Sequence, residues 1–256
     1  MSLSDWAGLA ATTFIAALLY AVSGFGFAVL AAPLFLLFAD PARAIQLVIV
    51  LSTALSLVVI PGLRRSIVLG LLLRLALGSV AGLPLGLLAF HYVNPVVTRG
   101  LAGATILIFA VLMTVLRRRL DQTRTPLAMS SGRDVAAGAV SGVAAALVGM
   151  AGPPVLIYLL LGGAPPQTVR ATLLSFFALS YAATLAAHAA TIGIPGSTWL
   201  AAVLLIPFAV IGGFAGRPLG DRIGAEGFAI LAIGLLAVAG LYTVVAAGIS
   251  FAAHHQ

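Results

Sequence analysis

The chain has no cysteine, so no disulfide, thiolate metal site or redox couple can form. It also has no lysine, because all 13 basic residues are arginine. The phosphate-binding pattern G-x-x-x-x-G-K-[ST] therefore cannot occur, and ATP-driven work by this chain is unsupported. Charge of either sign is scarce. Only 7% of residues are charged, against about 25% in a soluble domain. The six acidic residues, Asp5, Asp40, Asp121, Asp134, Asp221 and Glu226, all fall at the ends of apolar segments or in loops. Carboxylates inside a membrane are the usual proton relays and cation partners. Their absence from the segment interiors disfavours a cation exporter or a carboxylate-driven pump. Met1 to Asp5 lacks a basic stretch, so a cleaved signal peptide is not expected.

What is present is apolar. Of the 256 residues, 62% are hydrophobic, and mean hydropathy is +1.21. The apolar runs are about 20 residues or more, long enough to cross a hydrocarbon core of roughly 30 Å. The expected fold is all-α, a polytopic integral membrane protein. A β-barrel would show alternating ten-residue segments instead. The net charge of +7 does not indicate nucleic-acid binding, because the arginines lie between apolar segments. Membrane lipid is the expected surrounding, and no nucleic-acid partner or cofactor is expected.

Eight apolar segments are expected: Leu3–Ala39, Ala44–Leu63, Ile67–Phe90, Val96–Leu116, Val135–Leu161, Ala171–Ile192, Trp199–Ala215 and Phe228–Phe251. They form two homologous halves, about 1–116 and 135–256, around an Arg-rich linker at 117–134. Arg117, Arg118, Arg119, Arg124 and Arg133 mark that linker. An internal repeat supports the division. Gly78-x-x-x-Gly82-x-Pro84-x-Gly86 recurs as Gly212-x-x-x-Gly216-x-Pro218-x-Gly220, 134 residues later. Pro33 and Pro154 are 121 residues apart, and Arg43 and Arg170 are 127 apart.

The first segment of each half is broken. Leu3–Ala39 would be about 55 Å long as a single helix. It contains Gly24-Phe25-Gly26 and then Pro33, and Val135–Leu161 contains Gly149-Met150-Ala151-Gly152-Pro153-Pro154. Glycine loosens the backbone and proline removes a donor. Each segment thus reads as two shorter helices, either a re-entrant hairpin or two short passes. Arginine placement bears on this, with Arg74 left aside because it lies within a segment. If every segment crosses once, seven arginines are inside and five outside. If each broken segment returns to its starting side, the balance becomes ten to two. The positive-inside rule favours the second arrangement, in which the halves are inverted repeats. A parallel four-plus-four arrangement is the alternative.

Broken apolar segments at matching positions point to a transporter's binding site. Unwound backbone at membrane depth must be buried in protein or line a cavity. A helix start exposes unpaired N–H groups with partial positive charge and suits an anion. Arg43 and Arg170 begin the next helix of each half, and guanidinium forks suit oxyanions. The candidate substrate-binding residues are therefore Gly24, Phe25, Gly26 and Arg43 with Gly149, Gly152, Pro153, Pro154 and Arg170. Gln46, Thr172 and Ser175 could add hydrogen bonds. Plainer readings stand beside these. Membrane glycines commonly serve close packing, and the Gly78/Gly82 and Gly212/Gly216 pairs read best as packing seams. The two arginines could snorkel to headgroups, and Arg43 could pair with Asp40. His188, Tyr158 and Tyr181 read as packed residues before ligand contacts. No catalytic residue or metal site is proposed. Ser23 and Ser141 lack the Gly-x-Ser-Gly context of intramembrane serine proteases.

The two breaks resemble those of the sulfite exporter TauE/SafE family of membrane transporters. The family's first half carries roughly G-x-G-G-G and then Pro-Leu. Here that stretch is Gly24-Phe25-Gly26-Phe27-Ala28 and then Pro33-Leu34, with Phe27 and Ala28 in place of two glycines. The second half is similar to a G-G-P-P-x-x-x-Y-L variant, as Gly152-Pro153-Pro154 and Tyr158-Leu159, with Arg170-Ala171-Thr172 downstream. The resemblance implies a bacterial inner-membrane, multi-pass carrier of a small sulfur-containing oxyanion such as sulfite or a sulfonate. An anion channel built on the same helix ends is the alternative. Whether the chain forms a homo-oligomer is left open by the sequence.

Overall fold

The computed structural model describes residues 2–23, 26–59, 67–92 and 130–216, with single positions between 97 and 111. Gly24, Phe25, the linker from 112 to 129 and everything from Arg217 onward, including the segment Phe228–Phe251, lie outside the described residues. The described residues hold helices and no strand. In chain order the helices are α1 (Leu3–Ser23), α2 (Phe27–Phe38), α3 (Pro41–Val59), α4 (Leu69–Tyr92), α5 (Ser131–Val148), α6 (Gly152–Leu161), α7 (Pro166–Thr191) and α8 (Gly196–Gly216). α1, α4, α7 and α8 each contain a stretch long and apolar enough to cross a membrane. On α8, Leu200, Val203, Leu204, Ile211 and Phe214 form an exposed apolar stripe, suited to lipid and unsuited to water.

Both over-long segments are broken where the glycines fall. Gly149 ends α5 in the left-handed conformation, φ 75°, and Gly26 precedes α2 with φ 116°. α2 has 12 residues and α6 has 10, so they are about 18 and 15 Å long, near half the hydrocarbon thickness. Each folds back along its predecessor. At the base of the first hairpin, the Phe38 ring occupies the space a side chain on Gly8 would need. In the second, the Tyr158 hydroxyl of α6 donates to Asp134 in the first turn of α5.

The helix directions follow from paired contacts. A methyl group on Gly78, Gly82 or Gly86 of α4 would overlap Val135, Ala139 or Val143 of α5, so these helices run parallel. Gly138 and Gly142 of α5 meet Leu75 and Ser79 of α4 in the same way. Gly212 and Gly216 of α8 lie against Phe14 and Leu18 of α1, again in parallel. Each half's glycine-motif helix thus packs on the first helix of the other half. α3 packs on α7, and the start of α3 lies beside the end of α7. There the Gln46 amide donates to the Gly193 carbonyl at 2.9 Å. α3 and α7 are therefore antiparallel.

One sequence expectation changes. Arg133 and Asp134 are not in a loop, because α5 begins at Ser131, with the Ser130 hydroxyl accepting from the Arg133 amide. Asp134 keeps its expected place at a segment end, in the first turn of α5, and is buried there. It is 1% exposed and pairs with Arg74 of α4 at 2.6 Å. The carboxylate is sustained there by the guanidinium and the Tyr158 hydroxyl together, without which burial would be costly.

Replacing Gly82 with valine is expected to force α4 and α5 apart and to cost about 1–3 kcal/mol. The thermal midpoint of the detergent-solubilised protein should fall. Gly132→Ala, at a position with open space around it, should leave the midpoint in place.

Candidate functional site

The two breaks meet. A small cavity is lined by Gly26, Phe27, Ala28 and Val29 at the start of α2, by Gly152 at the start of α6, and by side chains of α1, α3 and α7. Its volume is about 10 Å³, on the scale of one water. Ser52 and Ser56 are four residues apart on α3, which puts both hydroxyls on one helix face. Ser56 is within 3.4 Å of the Tyr20 hydroxyl. Ser52 is 4% exposed, and its Oγ lies beside the Tyr181 hydroxyl, outside the geometry of a regular hydrogen bond. Phe177 supplies the apolar wall, its ring 6.4 Å from that of Tyr20 and 5.9 Å from that of Tyr181.

The second break is held by one phenol. Tyr181 donates to the Gly149 carbonyl at 3.2 Å and accepts from the Ala151 amide at 3.1 Å. These are backbone groups that the interruption of the helix would otherwise leave unpaired. A side chain on Gly149 would be strained by the positive φ and would press on Val48, and a Cβ on Gly152 would come within 3.1 Å of the Phe177 ring.

Of the residues expected to bind substrate, Gly26 and Gly152 line the cavity. Gly149 touches it through Tyr181. Pro153 and Pro154 continue α6 behind Gly152, and Gly24 and Phe25 are outside the described residues. Neither arginine is among the lining residues. Arg43 donates to the Ser197 carbonyl at 3.1 Å, and Arg170 donates to the Ala21 carbonyl at 3.2 Å, in the last turn of α1. Each therefore reaches a backbone group of the opposite half. Arg43 does not pair through its guanidinium with Asp40. The Asp40 carboxylate instead caps α3, accepting from the Arg43 backbone amide at 3.0 Å, ahead of Pro41 in the first turn. Thr172 and Ser175 are buried with unpartnered hydroxyls but do not line the cavity. His188 is fully buried, Nε2 3.0 Å from the Ala146 carbonyl oxygen and its ring against Phe90.

Sequence reading missed Tyr20, Ser52, Ser56 and Phe177. One signal was available: a Ser-x-x-x-Ser pair in the apolar second half of α3, the helix that follows α2. Its positions in the second half, 127 residues on, are Leu179 and Ala183, so comparing the repeats hides it.

The pattern described as Sulfite exporter TauE/SafE matches residues 9–243, nearly the whole chain. The chain belongs to the TauE/SafE family. It is accordingly a multi-pass membrane transporter of the sulfite-type anion class and not an enzyme. No curated protein and no solved structure matches this TauE/SafE chain.

Tyr181→Phe should leave the Gly149 carbonyl and the Ala151 amide unpaired in a dry setting, at about 1–3 kcal/mol. The expected readout is a lowered thermal midpoint in detergent. Tyr20→Phe, which gives up only the longer contact to Ser56, should lower it less.

Proposed function

We propose that the protein is a secondary transporter for a small sulfur-containing oxyanion, bound in the cavity where α2 and α6 begin. The observation that carries this reading is the meeting of both helix starts on one cavity that is also lined by the hydroxyl-bearing Ser52 and Ser56. Helix starts favour anions through free N–H groups and the helix dipole. The surrounding polar groups are neutral hydroxyls, which hold an anion by donation without trapping it in an ion pair.

The halves act as inverted repeats in this reading. Three observations support it: α3 and α7 correspond in the repeat yet run antiparallel, α4 lies parallel to α5, and α8 lies parallel to α1. Among the described residues, these directions are the ones that halves of opposite orientation would give. Such halves can rock against each other around a fixed site. A cavity of about 10 Å³ is too small for a sulfur oxyanion, which fits an occluded state that opens when α2 and α6 separate. Arg43 and Arg170 are assigned a positioning role, tying each half to the other through backbone carbonyls.

Uptake of radiolabelled sulfite into proteoliposomes is expected to saturate with concentration. Gly152→Leu, which drives a side chain into Phe177 and the cavity, should abolish uptake by protein that still elutes as a monodisperse peak. Unsaturating flux with single-channel currents would replace the carrier reading with a channel. Full uptake by Gly152→Leu would remove the cavity from the transport path.

A further inference from the structure

The two short helices leave the cavity toward opposite faces of the molecule. At its far end α2 reaches the start of α1, where Phe38 packs at Gly8, and α3 begins three residues later. At the other end of α1, the Tyr20 hydroxyl lies 3.4 Å from that of Ser56, near the end of α3. α1 and α3 are therefore parallel. The Ser79 and Ser180 hydroxyls meet at 2.7 Å and the Phe90 ring packs on His188, so α4 and α7 are parallel too. α5 runs with α4, and α3 runs against α7. α5 thus opposes α1, and α6, which returns along α5, opposes α2. Both short helices start at the cavity. α6 is about 15 Å long and spans the depth between the cavity and the face on which α4 and α5 begin.

The outer end of α6 is held by a single carboxylate. Asp134, in the first turn of α5, accepts from the Tyr158 hydroxyl through Oδ1 and from Nε of Arg74 on α4 through Oδ2, the latter at 2.6 Å. The carboxylate is buried, whereas the Arg74 side chain is 40% exposed. Asp134 and Arg74 are fixed relative to each other, because the glycine seam brackets them. Gly78 lies on Val135 and Gly138 lies on Leu75, each too close for a Cβ. The contact free to open is the one to Tyr158. It is an O–H···O⁻ bond, the stronger kind of hydrogen bond, and a buried carboxylate that loses a donor is costly. Resting on the cavity reading above, we infer that Asp134 is a positioning residue for transport: through Tyr158 it holds α6 closed over the cavity on the face where α4 and α5 begin. Arg74, from the other half, pairs with the same carboxylate and makes this closure depend on both halves. The opposite face is closed differently, by Phe38 of α2 on Gly8.

Because the chain has no cysteine of its own, one introduced thiol can report access to the cavity. Ser52→Cys places it on the lining, and a small membrane-impermeant methanethiosulfonate reagent can be added from either face of oriented proteoliposomes. Adding Tyr158→Phe, which removes only the hydroxyl, is expected to speed modification about tenfold from the face where α4 and α5 begin, the scale of one hydrogen bond to a charged group. The rate from the other face should stay the same. Asp134→Ala should act alike, and the double variant should add nothing, because both remove one contact. Arg74 is partly exposed, so its charge can snorkel outward when Asp134 is removed. If Asp134→Ala does not elute as a monodisperse peak, Tyr158→Phe alone decides. An unchanged rate in Tyr158→Phe, acceleration from both faces alike or from the opposite face, or further acceleration in the double variant would overturn the closure by Asp134, with saturable sulfite uptake left standing. If the wild-type protein takes up no sulfite yet the one-sided acceleration is found, the transport reading fails and the closure stands.

Discussion

Backbone polar groups cannot be left bare at membrane depth, and this constraint organises the described part of the molecule. Two helix breaks create such groups, and the fold deals with them one at a time. Tyr181 takes the Gly149 carbonyl and the Ala151 amide. Arg170 takes the Ala21 carbonyl at the end of α1. At the far end of α7, Gln46 takes the Gly193 carbonyl, and Arg43 takes that of Ser197. Three of these four side chains reach from one half of the chain to the other, and only Tyr181 serves its own half. The helix-start residues of α2 line the cavity, with Ser52 beside the Tyr181 hydroxyl.

The first helix of each hairpin is held, against α8 or α4, by packing too close for any side chain. The glycines of α4 and α5 interlock with each other's carbonyls, as those of α8 do with α1. Without a hydrophobic driving force between helices in lipid, such backbone approach is a main source of cohesion. The seams leave α2 and α6 unencumbered, because the glycine motifs engage the long first helices rather than the short returning ones. The close seams therefore run through α1, α4, α5 and α8. The hairpins are also closed by different chemistry. Phe38 packs at Gly8 in the first, whereas the Arg74–Asp134–Tyr158 cluster ties α6 to α5 and to α4 of the other half in the second.

The sequence carried the breaks, because glycine and proline act locally and need no tertiary partner to be read. It carried the seams for a similar reason, since Gly-x-x-x-Gly spacing defines one helix face. It did not carry the destinations of long side chains. Arg43 and Arg170 stand at matching places beside the breaks, and their guanidinium reach made anion contact and backbone capping equally accessible from spacing alone. Only the position of Ala21 and Ser197 in space distinguishes these. Asp134 was placed at its segment end, but its burial was not read, for the opposite reason. Its neighbours in the chain are polar, but its burial depends on Arg74, 60 positions away. Ser52 and Ser56 were overlooked because a hydroxyl in a membrane helix ordinarily bonds to its own backbone, and their spacing marks only a shared face.

The two breaks differ in their chemistry. The first break keeps amides at its helix start and gains two hydroxyls from α3. The second replaces two amides with proline, spends a third on Tyr181 and places a phenyl ring against its glycine. Proline fixes φ and stiffens the turn it occupies, so α6 is built as a rigid wall, pinned at one end by Tyr181 and at the other by Tyr158 on Asp134. α2 has no comparable polar pin at its far end, where Phe38 rests on Gly8 through apolar contact alone. Apolar contact is non-directional and tolerates sliding better than a buried carboxylate network does. The second break is thus fixed by polar contacts at both ends of α6, and the first rests on apolar packing at the far end of α2.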